Sequence, residues 1–283
     1  MLLLFRLLSN LFGSRGGATE PAVSPAANGQ LALLGHQVRF DLLTLMRNPR
    51  ARFFTIVFPL LFLVIFSSVF GKGHTVVDGH HITLTRYYTP GIMAQAVMAA
   101  AYANLVIMVT TLRENGILKR RRATPVPAWM LIASQALATV VISIAMATIM
   151  LVVARLAYGI GYPVSSLVAI YLIVALGTLS LGCVAYAVAG LLKNADVAQP
   201  FVQISMLPLF FISGIYLPTD GMPKALRIIG EIFPPEHIAN TLHLASVNTS
   251  FASSVSLVDV AVLVGWALAA VAFALRRFSW LPS

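Results

Sequence analysis

The sequence predicts an all-α integral membrane protein with six transmembrane helices, and three observations carry that prediction. The chain has 283 residues, 59% of them hydrophobic and only 10% charged, with a mean hydropathy of +0.88. A soluble domain normally carries about 25% charged residues, so these charges cannot solvate a globule of this size. The apolar residues also gather into six runs, each close to the roughly 20 residues that a helix needs to cross hydrocarbon. Finally, the formal net charge is +10, and the cations sit beside the apolar runs. That placement points to anionic lipid headgroups and membrane orientation, and away from nucleic acid.

Residues 1–12 (MLLLFRLLSNLF) are apolar but short, and Arg6 interrupts them. A signal peptide places its charge before a longer apolar stretch, so this piece reads as surface-lying or as an imprecise start of the reading frame. Residues 13–30 hold mostly Gly, Ala, Pro, Ser and Asn, and residues 1–30 together are expected to be a flexible tail. Over 31–50, Leu31, Leu34, Val38, Leu42 and Leu45 recur at helical spacing, with His36, Arg39, Arg47 and Arg50 on roughly the opposite face. Such a helix either lies in the headgroup layer or faces the core of a soluble domain. The apolar run that begins near residue 53 favours the headgroup layer. Pro49 marks its end.

Six spans are predicted at about 53–70, 91–112, 129–154, 167–191, 199–217 and 257–275. Pro59 in the first and Pro200 and Pro208 in the fifth are tolerable, because neighbouring helices satisfy the freed carbonyls. With the N-terminus in the cytoplasm, fourteen of the nineteen Lys and Arg fall inside; only Lys72, Arg86, Arg155, Lys224 and Arg227 fall outside. The positive-inside rule selects this orientation, with both termini cytoplasmic. The first outer loop (about 71–90) is polar. The last (about 218–256) is moderately apolar, and two short helices, Leu226–Phe233 and Glu236–Ala245, are expected to dip back toward the membrane around Pro234–Pro235.

Several chemistries find no support. No G-x-x-x-x-G-K-[ST] loop, H-E-x-x-H or G-x-S-x-G occurs, so no nucleotide-hydrolysing or catalytic site is predicted in this chain. His74, His80, His81, His237 and His243 fall outside but lack paired helical spacing. They read as solvated loop histidines, and no metal site is assigned. Cys183 sits alone in an apolar run and reads as a small buried residue. Within the spans Asp259 is the one acid, near an outer end, so an ion-coupled carrier lacks a mid-membrane titratable group. A membrane-embedded lipid-modifying enzyme lacks an acid–base pair. Gln95, Asn104, Gln135, Gln199 and Gln203 either bond across helices or line a substrate path.

The loop between the second and third spans reads R-E-N-G-I-L-K-R-R-R-A-T-P-V-P from Arg113 to Pro127. A plain positive-inside anchor needs only its cations. Glu114, the apolar pair Ile117–Leu118 and the T-P-x-P ending go beyond that, and they suit a short rigid element that docks a soluble partner. This loop resembles the corresponding loop of membrane subunits of type-2 ATP-binding-cassette (ABC) exporters, which commonly reads R-E-x-G-t-l-x-r-l-x-a-t-P-x-x. The stretch S-G-I-Y-L-P-T-D-G-M-P-K-A-L-R-I-I-G-E-I-F-P-P-E-H over 213–237 is similar to that family's S-G-x-x-x-P-x-x-x-x-P-x-x-l-x-x-i-x-x-x-x-P-x-x-h. The resemblance covers about 31–277.

The resemblance implies a transmembrane domain over 31–283 with helix 31–50 as an elbow helix. Arg113, Glu114, Gly116, Leu118, Arg120 and Pro125 would form the element that seats on a separate ATPase. The contiguous run Lys119–Arg122 departs from the family's spaced cations, leaving open which of them touches the partner and which touches lipid. Short re-entrant helices carrying Pro218, Pro223, Pro234 and His237 would form an outer gate. Two permease subunits, identical or different, and two ATPases would make the pump, in the cell membrane, with ATP and Mg at the ATPases and no cofactor on this chain. The second and fifth spans would line the path between subunits. Gln95, Tyr102, Asn104, Gln203, Phe210 and Phe211 are the candidate path residues, with Met93, Met98 and Phe201 beside them, for a hydrophobic drug, antibiotic or lipid-like cargo. Each of them serves equally as ordinary packing or as a lipid-facing residue.

Overall fold

Six helices long and apolar enough to cross a bilayer form the body of the computed structural model, which describes residues 27–117, 128–192 and 194–277. Leu118, Arg120 and Pro125, and residues 1–26 of the expected tail, lie outside the described residues. Helix α1 (Ala27–Arg47) packs against the third span. Leu34, Val38, Leu42 and Leu45 are partly covered, while His36, Arg39 and Arg47 are exposed, as the helical spacing predicted. Phe40, Leu43 and Met46 present a further uncovered apolar strip, which suits a helix lying at the membrane surface. The buried Asp41 accepts a hydrogen bond from Ser134 Oγ at 2.8 Å and moors α1 to the bundle.

Asn48 separates α1 from the first span. Its side-chain oxygen accepts from the amides of Arg50 and Ala51, each at 3.1 Å, and Pro49 takes the first helical position, where its missing N–H costs nothing. The first span, α2 (Pro49–Phe70), therefore starts four residues before the expected 53. It contains one wide π turn, Phe53–Val57, just before Pro59. The proline cannot donate to Thr55, and its ring crowds that carbonyl, so the wider turn absorbs the conflict.

A short antiparallel hairpin follows, β1 (His74–Val77) with β2 (His80–Thr83), Val77 opposite His80. Asp78 and Gly79 have φ of 49° and 76°, the two left-handed residues of a type I′ turn. The polar character of this stretch predicts only a loop, although T-V-V-D-G-H-H-I-T carries the Asp-Gly hairpin signal.

Helix α3 (Leu84–Glu114) is the axis of the bundle: 78% of its most apolar window is buried, against 17–50% for the other five. It packs against α2, α4 (Ala128–Tyr158), α5 (Val164–Leu191) and α6 (Ala195–Ile212). Small residues let it sit so close. A methyl group at Gly91 would lie 2.3 Å from the Ile215 carbonyl oxygen, a distance no side chain tolerates. A second π turn, Ala99–Ala103, lies beside the first, and Asn104 Nδ2 donates to the buried Thr55 Oγ1 at 2.6 Å.

The predicted re-entrant pieces are helical. Helix α7 (Lys224–Ile232) is amphipathic, with Leu226, Ile228, Ile229 and Ile232 exposed. After Phe233 the chain restarts as α8 (Pro234–Val247), packed against α3, α5 and the last span, α9 (Leu257–Arg277). Pro234 and Pro235 begin α8, where a missing donor is harmless. His237 and His243 therefore depart from the solvated reading: both are buried, because α8 folds into the bundle instead of running through an open loop.

Candidate functional site

Two motif residues at the end of α3 bond to neighbouring helices, one from a buried and one from an exposed position. Arg113 is only 6% exposed. Its Nη1 donates to the Ala189 carbonyl at 3.0 Å, and its Nη2 donates to the Leu192 carbonyl. These are carbonyls at the C-terminal end of α5, where the helix has no partners of its own for them and a cation is favourable. Glu114 Oε2 accepts from the Ala195 amide, the first of α6, at 2.7 Å. Asn194 makes no side-chain cap there, so Glu114 supplies from another helix the acceptor and negative charge that a helix start requires. Gly116 has φ of 65° and ends α3 in a left-handed turn that glycine adopts without strain.

Two further ties bind α3 to the fifth span and its extension. Midway, Tyr102 Oη and Ser205 Oγ are 3.0 Å apart. At the far end, the Tyr87 hydroxyl lies 2.5 Å from the Gly214 carbonyl and 3.1 Å from that of Leu217. Together with Glu114–Ala195 they hold α3 and α6 at both ends and in the middle.

The family model described as ABC-2 type transporter matches residues 34–245. The chain belongs to that family. A comparison with curated proteins returns no match. The protein is thus a membrane-embedded transport subunit of the ABC-2 type, a multi-pass chain built on six apolar helices.

In this ABC-2 subunit the six candidate path residues divide. Gln95, Tyr102 and Phe210 are buried within the chain, Asn104 is half-buried, and Gln203 and Phe211 are exposed on α6 beside Phe201, Ile204 and Leu207. Tyr216 gathers part of the set. Phe62, Phe66, Phe210 and Phe211 place their rings 5.3–5.8 Å from its ring. Its hydroxyl lies near the Gln95 amide, outside hydrogen-bond geometry, so both polar atoms of that buried amide are unpartnered. Sequence reading passed over Tyr216, although it stands in the S-G-I-Y motif.

The expected gate residues also separate. Pro218 and Pro223 flank a 3₁₀ turn, Thr219–Gly221, and Pro223 precedes α7. Pro234 opens α8, and His237 fastens it. The His237 Nδ1 lies 2.7 Å from Asp259 Oδ1 and its Nε2 lies 2.8 Å from the Glu231 carbonyl oxygen. The other Asp259 oxygen accepts from Asn240 Nδ2 at 2.8 Å and Thr241 Oγ1 at 2.9 Å. Burial disfavours a charged ring, but these acceptors and the Glu236 carboxylate outweigh it, and the His237 pKa is raised. Donor atoms of Glu236, His237 and Asp259 lie within 4.8 Å of one another, close enough to ligate a metal. Both ring nitrogens and both Asp259 oxygens already have protein partners, however, so the arrangement works as a clasp between α8 and α9. Asp259 was visible in the sequence as the lone acid of an apolar run; its partners 18–22 residues earlier were not.

His243 is the opposite case. Its Nε2 donates to the Gly214 carbonyl at 3.1 Å, and its ring stacks on Tyr87 with centroids 4.2 Å apart. Burial drives its pKa down to about 4, against the opposing effect of that carbonyl. An unfolded chain would titrate this ring near 6.5, so between pH 6.5 and 4 the unfolded state holds more protons. Stability rises with pH across that window and is lost as pH falls. Thermal unfolding of the purified protein in detergent is expected to show a fall on acidification that His243→Gln reduces, with His243 accounting for a loss on the order of 3 kcal/mol. An unchanged pH profile in the variant refutes the assignment.

Proposed function

We propose that this chain is the membrane half of an ATP-driven exporter, moved by a separate ATPase that presses on the loop 113–127. The observation that carries the reading is the triple tie between α3 and the fifth span. Glu114 holds the start of α6, Tyr102 meets Ser205 midway, and Tyr87 holds the segment after α6. Arg113 adds the end of α5 to the same unit. A force on the loop then tilts α3 and α6 together, and substrate moves because its affinity differs between the two resulting states.

In this reading two ATPase subunits, with ATP and Mg bound to them, serve two permease chains in the plasma membrane, with both termini in the cytoplasm. Nucleic acid has no part. The exposed apolar face of α6, with Phe201, Ile204, Leu207 and Phe211, suits contact with a second permease chain or with a hydrophobic drug, antibiotic or lipid-like cargo. Reconstitution with the ATPase in vesicles tests the whole reading. Release of a hydrophobic dye is expected to require ATP and to persist when the proton gradient is dissipated. Transport that stops with the gradient and ignores ATP overturns it in favour of an ion-coupled carrier.

A further inference from the structure

The two faces of the β-hairpin have different surroundings. On β1, Thr75 and Val77 are partly covered while His74 and Val76 are exposed; on β2, Ile82 is buried while His81 and Thr83 are exposed. Successive strand residues point to opposite faces. One face therefore packs toward α3 and α8, and the other, made of His74, Val76, His81 and Thr83, is open.

The register brings two of the three hairpin histidines together on that open face. His74 lies opposite Thr83, and His81 lies opposite Val76, so His74 and His81 are diagonal neighbours across the strands. Such neighbours stand about 7–8 Å apart, within reach of long side chains. A metal ion holds each imidazole nitrogen at about 2 Å, and two rings swinging over an open face close that distance. Among the described residues no protein group bonds either ring. His80 is the contrast: it belongs to the other face, opposite Val77, and its Nδ1 lies 3.0 Å from the Asp78 carbonyl oxygen.

The backbone beneath the pair is fixed in advance. The type I′ turn closes the hairpin, Ile82 is buried under it, and Thr83 Oγ1 caps the start of α3 by accepting from the Arg86 amide. Little ordering is then left for an ion to bring about. Thr83 is committed as that cap, so the protein supplies two nitrogen ligands and water completes the shell. Imidazole suits zinc, copper and nickel, whereas calcium and magnesium require oxygen.

We propose that His74 and His81 clamp a transition-metal ion, zinc(II) or copper(II), on the open face of the hairpin. The site goes beyond the export reading and does not depend on it. The test uses the full chain, purified in detergent without a histidine tag. It is titrated with copper(II) nitrilotriacetate, whose chelator leaves only a neighbouring pair of positions for protein donors, and nitrogen coupling is followed by electron paramagnetic resonance. Saturable binding is expected. His74→Gln and His81→Gln should each weaken it about a hundredfold, because the second imidazole of a pair binds as a tethered ligand. His80→Gln, two or fewer residues from Asp78 and His81 but on the other face, should leave it unchanged. All three histidines are exposed, so none of these variants disturbs a core. The proposal is overturned if no saturable binding occurs, if it survives His74→Gln or His81→Gln, or if His80→Gln weakens it as much.

Discussion

Glu114→Lys is expected to lower coupled export about tenfold or more while leaving the chain folded and in the membrane. The wild-type carboxylate sits 2.7 Å from the first amide of α6, where the helix dipole favours a negative charge. Lysine places a cation there, removes the acceptor, and repels the positive helix end. Glu114 is exposed, so no core is disturbed and the bundle stands on its other ties. Coupling free energies between sites are typically about 1–3 kcal/mol, so export with the ATPase is expected to fall about tenfold or more. Glu114→Gln keeps an acceptor without the charge and should fall between. Binding to the ATPase, measured in parallel, separates two roles. Retained binding with lost export means that Glu114 transmits motion; loss of both means that it also docks the partner. Normal export in Glu114→Lys sinks the coupling scheme.

The largest expected loss of stability follows from Asp259→Ala. One carboxylate, 4% exposed, accepts from His237, Asn240 and Thr241. Removing it leaves a buried imidazole nitrogen, an amide and a hydroxyl without their acceptor at the seam between α8 and α9. Breaking a buried charged pair in this way costs about 3–5 kcal/mol, whereas replacing both partners with apolar groups costs less. Thermal unfolding in detergent should therefore show a marked fall for Asp259→Ala and partial recovery in His237→Leu/Asp259→Leu. The clasp would be unimportant if the single variant unfolded within a degree of wild type.

The six apolar helices, the helix that precedes them and the two short helices before the last span were legible because each rests on a local signal. Apolar runs of bilayer length need no partner to be recognised, since hydrocarbon is their solvent. Pro49 and Pro234 marked helix boundaries, although each begins the following helix, where a missing N–H is free. Asp78–Gly79 carried a hairpin signal of the same local kind, and it was passed over because its flanking residues were read as a polar loop.

By itself, the sequence determined the number of crossings, the basic face of α1 and the motifs around 113–117 and 213–237. Only the tertiary structure decided what those motif residues touch. Arg113 and Glu114 reach carbonyls and an amide 76–81 residues away, and His237 meets an aspartate on another helix. Periodicity records which face of a helix avoids water. In a membrane bundle both lipid and neighbouring helices are apolar, so it does not record which helix lies opposite. The partner of a polar side chain is fixed by packing across the whole chain, which is why the burial of His237 and His243 follows from the packing of α8 and not from their spacing in the sequence.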